Sequence, residues 1–139
     1  MRYLFFCALA VVFLCGCGPS RPKMVKVRGK VTYGGGEWPN PGMLYFAPEK
    51  NADGFPLRPA SAELAKDGSF EAFSFEPGDG LFPGRYLVTI ECWKTPPTMK
   101  NPQTISAVPP KYQNPQTTDF IVEVGKDQSS IEIEFDIPK

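Results

Sequence analysis

The chain has 139 residues, room for one domain, and its 16 prolines and 13 glycines favour short strands and turns over a long helical bundle. Its 15 basic and 15 acidic residues cancel and are interspersed, so no basic field attracts nucleic acid and no polybasic run holds anionic lipid. Histidine is absent, which removes the commonest general base near neutral pH and the commonest nitrogen ligand for transition metals. The expectation is a protein that is not an enzyme and carries no cofactor or metal.

Arg2 is followed by the apolar run 3–14, YLFFCALAVVFL, the length of a signal-peptide core and shorter than the roughly 18 residues of a spanning helix. The small-x-small triplet Ala8-Leu9-Ala10 lies inside that core, too early for ordinary signal cleavage. Leu14-Cys15-Gly16-Cys17 resembles the lipobox of bacterial lipoproteins, with Leu three residues before the cysteine and a small residue directly before it. Cys7 and Cys15 both follow bulky residues and do not fit. The resemblance implies cleavage between Gly16 and Cys17, a diacylglyceryl thioether on Cys17 and a further acyl chain such as palmitate on its new amine. Two or more chains matter physically, since one gives only reversible membrane binding. Residues 1–16 then form a lipoprotein signal peptide and 17–24 a lipidated N-terminus and Pro-containing tether, with membrane lipid as the first partner. The protein would be exported and held at the inner or outer membrane, facing the periplasm or exterior.

From Val25 to Lys139 the sequence reads in strands. Val25, Val27, Val31 and Tyr33 alternate with polar residues, and Gly29 interrupts the apolar face as a bulge or close approach would. The turn-rich GGGEWPNPG, 34–42, precedes the apolar 43–47. Strands at 61–65 and 69–75 flank Lys66-Asp67-Gly68, where Asp-Gly is expected to supply the positive backbone angles of a tight hairpin. After EPGDGLFPG, the segment 85–93 puts Tyr86, Val88, Ile90 and Cys92 on one face. Residues 118–124 and 130–137 complete the set, the last with Ile131, Ile133, Phe135 and Ile137 inward and Glu132, Glu134 and Asp136 outward. About seven antiparallel strands and no helix predict an all-β, two-layer sandwich. Between them, 94–117 holds six prolines and no sustained period, and is expected to be one long loop.

These stretches also carry a family resemblance. The G-x-V strand with its Gly/Pro turn (Gly29, Val31), D-G-x-F (Asp67, Gly68, Phe70), P-G-x-Y-x-V-x-I (Pro83 to Ile90) and P-x-x-Y (Pro110, Tyr112) resemble, in order and spacing, bacterial lipoproteins with a carboxypeptidase-regulatory-like, transthyretin-like domain. Trp38 in the longer 34–42 turn departs from that pattern. The resemblance implies a seven-stranded Greek-key sandwich, prealbumin-like, without catalytic residues, serving as an accessory or binding module.

Three aromatics in or beside loops, Trp38, Trp93 and Tyr112, are candidate ligand contacts, set against the alternative that they plug the ends of the sandwich. The function expected is a membrane-anchored, non-catalytic binding or structural module with a protein or polysaccharide partner. A carbohydrate-binding accessory protein is the alternative, and a glycoside hydrolase using Glu132 and Glu134 a remote one. Asp67, Glu76 and Asp79 stand beside Gly or Pro and are read as turn residues, not calcium ligands. Cys92 is read as a small core hydrophobe and Tyr86 as a corner tyrosine bonded to backbone.

Overall fold

The computed structural model describes residues 21–139, so the signal peptide expected at 1–16, with the expected cleavage and lipidation positions Gly16 and Cys17, lies outside the described residues. Nine strands follow in chain order: β1 Lys26–Tyr33, β2 Gly42–Asn51, β3 Ala60–Leu64, β4 Ser69–Phe73, β5 Gly84–Glu91, β6 Trp93–Thr95, β7 Ile105–Ser106, β8 Ile121–Val124 and β9 Ser130–Ile137. Seven of them form one mixed sheet in the order β8-β5-β2-β3-β4-β1-β9, and β6 with β7 makes a small separate hairpin.

The alternation read from sequence places the buried side chains. Val27 and Val31 of β1, Leu44 and Phe46 of β2, and Val88 of β5 are at most 1 % exposed, while Lys26, Arg28, Lys30 and Tyr45, alternating with them in β1 and β2, are exposed. The sheet curls around this single core until its ends approach: Phe120, just before β8, stacks on Phe135 of β9 at 4.2 Å between ring centroids. Two expectations are corrected here. Two separate sheets were expected, but β3 and β4 remain hydrogen-bonded through their hairpin, so the sheet bends there and stays continuous. All strands were expected to be antiparallel, yet β9 runs parallel to β1 over its full length, from Lys26 opposite Ser130 to Tyr33 opposite Ile137. Parallel neighbours need a long crossover, and here the whole of the intervening domain supplies it.

Gly29 explains how β9 fits. A Cβ at this position would lie 1.9 Å from the Ile133 carbonyl oxygen, so only glycine allows that approach. The β3–β4 hairpin departs in detail from the expected turn. Only Gly68 has a positive φ, at 91°, and Asp67 does not. Gly68 N–H donates to Ala65 O at 2.9 Å and Ala65 N–H to Ser69 O at 3.0 Å, the pattern of a type I turn closed by a left-handed glycine bulge. The Asp67 carboxylate accepts the Ser69 amide and hydroxyl instead.

The segment 94–117 is more ordered than one loop. Trp93 pairs with Ser106 and Thr95 with Ile105, and a 3-10 turn follows at Pro110–Gln113. Burial of Ala107, Val108 and Tyr112 ties the segment to the core, while the hairpin tip and residues 113–117 stay in solvent. In each NPQT copy the asparagine side chain accepts the amide two residues on, Gln103 from Asn101 and Gln116 from Asn114. These are Asx turns.

The connections sort into two ends. Residues 21–25, the β2–β3 loop, the β4–β5 loop and the β8–β9 turn lie at the end where β1 begins. The 34–41 turn, the 65–68 hairpin, the β6–β7 hairpin and the C-terminus lie at the other, which is called distal below.

Candidate functional site

The three candidate aromatics do not converge. Trp38 is 1 % exposed, its indole N–H donates to Val31 O at 2.7 Å, and its ring stacks on Tyr33 at 4.9 Å. Its own amide donates to Lys66 O, which ties the 34–41 turn to the 65–68 hairpin. Trp38 is therefore a plug of the distal end, with no ring face left for a ligand. Tyr112 is also buried, its ring edge-on to Phe135 at 6.2 Å. Burial and the nearby Asp119 carboxylate push its phenol up from its ordinary range. Trp93, in β6, is half-exposed and stands beside a groove.

That groove, about 1120 Å³, runs over the outward faces of β1, β4, β3, β2 and β5. Alternation sets its floor and walls. With Phe70, Leu64, Leu44 and Ile90 buried, their strand neighbours Glu71, Glu63, Met43 and Glu91 point out, and register aligns them. Arg28 lies opposite Glu71, and Met43 lies between Glu63 and Glu91. Half-buried Met43, Phe73 and Trp93 give the groove an apolar element, and Arg28 and Lys66 stand at its sides. Among the described residues none of the three glutamates forms an ion pair, so they face solvent as free acceptors. Burial first, and then the Glu91 charge, raise the neighbouring Tyr45 phenol. The groove is suited to holding a ligand that presents donors or cations together with an apolar group.

The glutamates and Met43 escaped the sequence reading. Their signal was the outward phase of each strand, but that phase gives no register, and register is what gathers positions 28, 43, 63, 71 and 91.

Glu132 and Glu134 lie on the open outer face of β9, opposite Arg28 and Lys30 of β1. Glu134 borders a shallow depression with Lys30, Thr32, Phe135 and Asp136. Asp136 accepts the Thr32 hydroxyl at 2.5 Å and the Gly35 amide at 2.8 Å, and these bonds hold its carboxyl below the usual range. The arrangement is a ladder of opposed charges along the strand pair. Asp79 is committed to the β4–β5 loop, where its carboxylate accepts the Ser74, Phe75 and Glu76 amides at 2.7, 3.0 and 3.0 Å. Cys92 is buried, its thiol 3.1 Å from Asn40 O, and burial pushes that thiol up, away from nucleophilic thiolate chemistry. Tyr86 donates its hydroxyl to Phe82 O at 2.8 Å, the corner role read from sequence, and burial pushes its phenol up to about 12. Compared with family models, curated proteins and solved structures, the chain matches none.

Proposed function

We propose that the chain is an envelope lipoprotein, anchored by acylated Cys17, whose transthyretin-like, carboxypeptidase-regulatory-like domain is a non-catalytic binding module for a protein partner. The observation that carries this reading is polarity. The tether joins β1 at one end of the sheet, and the β6–β7 hairpin, with Met99 and Ile105 exposed, projects from the other. An anchor at the first end leaves the second free to meet a partner. The order β5-β2-β3-β4 supports the Greek-key assignment, since three consecutive antiparallel strands are followed by a fourth that returns beside the first.

A protein partner is favoured over a polysaccharide because two of the three candidate aromatics are buried, leaving Trp93 without a second ring to build a sugar platform. Exposed Met99 and Ile105 beside half-exposed Trp93 suit an apolar protein contact with an acidic flank. The test is site-specific photo-crosslinking from positions 93 and 99 of the full-length protein in its native membrane. A discrete cross-linked protein at both positions is expected. Protein adducts absent at both, with binding of cell-wall polysaccharide abolished by Trp93→Ala, would favour carbohydrate instead.

A further inference from the structure

A second surface lies at the end where the tether joins the fold. Phe75, 39 % exposed, sits between two guanidiniums, with Arg58 3.7 Å and Arg21 4.4 Å from its ring centroid. The ring is held edge-on against buried Phe82 at 6.1 Å, and Asp79 fixes the backbone on which it stands. Arg58 donates from Nε and Nη2 to Ser74 O, which positions its guanidinium and uses only part of its five donors. Next to Arg58 in the β2–β3 loop, Leu57 is 54 % exposed. Lys23 and, in the β8–β9 turn at the same end, Lys126 are further exposed basic residues, and Asp53, Glu76 and Asp127 are exposed acids of these loops. Basic residues that are scattered in sequence are thus gathered around an apolar centre by the fold.

The length of the tether identifies what covers this surface. Four Cα steps separate Cys17 from Arg21, a span of at most about 14 Å when fully extended. The eight-residue β1 alone is about 26 Å long. On so short a leash the tether end meets the leaflet first, at the depth where an aromatic ring with a polar fringe is stable. The guanidinium fork matches the phosphate common to phospholipid headgroups.

We propose that the surface formed by Arg21, Phe75, Arg58 and Leu57 docks on the bilayer leaflet that carries the Cys17 acyl chains. Phe75 and Leu57 enter the headgroup region, the two arginines donate to lipid phosphates, and the domain stands with its β6–β7 tip away from the membrane. This rests on the Cys17 anchor proposed above.

The test uses the full-length, processed protein, reconstituted in phosphatidylethanolamine/phosphatidylglycerol vesicles containing headgroup-region spin-labelled lipid. An environment-sensitive fluorophore is placed at Leu57→Cys in one sample and Met99→Cys in another, buried Cys92 being left unlabelled under native conditions. Quenching several-fold stronger at 57 than at 99 is expected, and Arg21→Ala with Arg58→Ala should lower it at least twofold. Intact mass reads the anchor separately. Equal quenching at the two positions in acylated protein overturns the docking surface while the anchor stands. Quenching at 57 untouched by the double alanine overturns the role of the guanidiniums. Unacylated protein that does not associate with vesicles overturns the anchor and this proposal with it.

Discussion

At the scale of single residues, the positions that fix the fold are those where one atom more or less changes a close contact. Gly29→Ala would put a methyl group against the Ile133 carbonyl, forcing β1 and β9 apart; urea unfolding should register a loss of about 2 kcal/mol or more. Tyr86→Phe leaves the Phe82 carbonyl without its hydroxyl donor, at an expected cost of about 1 kcal/mol. The same tyrosine predicts alkaline behaviour. Its phenol ionises near 10 when unfolded and near 12 in the fold, so its stabilisation is intact below pH 10 and is lost as pH rises toward 12. Melting temperature should therefore fall through that window, and less so in Tyr86→Phe. Tyr86 and Cys92 were legible because strand alternation and a preceding Pro-Gly fix which way a side chain faces. For Trp38 the sequence favoured a plug of the sandwich end over a ligand platform, and the structure places it so; what covers it, the 65–68 hairpin, was not legible because that contact is long-range.

At the scale of elements, the seven strands of the main sheet were legible because each alternates against a single buried face. Their pairing was less so. The parallel union of β1 and β9 joins residues about a hundred positions apart, and alternation carries no information about which strand lies alongside. The β6–β7 hairpin was missed because prolines break any strand period, while the residues that return it to the core, Val108 and Tyr112, are too widely spaced to form a run. The groove was missed for the same reason as the pairing, since its residues come together only through register. The β4–β5 loop depends on one carboxylate with three amide donors, so Asp79→Ala should cost about 2 kcal/mol in chemical denaturation. It should also release the Phe75 ring from its seat, read as faster amide exchange at 74–76. Unchanged exchange there would show that the loop is held by something other than Asp79.

At the scale of the whole molecule, a sheet curled around one core leaves two ends with different chemistry. One carries residues 21–25, where the chain enters β1, with two arginines over a phenylalanine ring and an exposed leucine. The other carries a hairpin with exposed Met99 and Ile105, and the outer face of the sheet between the two ends holds the groove with its three unpaired glutamates. This division gives an anchored domain a direction, and the directional reading depends on where the lipid is. Cys17 is therefore the pivot of the account. The N-terminal peptide of the protein extracted from its native membrane should, by mass spectrometry, begin at Cys17 and carry a diacylglyceryl group with an additional acyl chain. A peptide that retains residues 1–16, or that begins elsewhere with an unmodified Cys17, would contradict it.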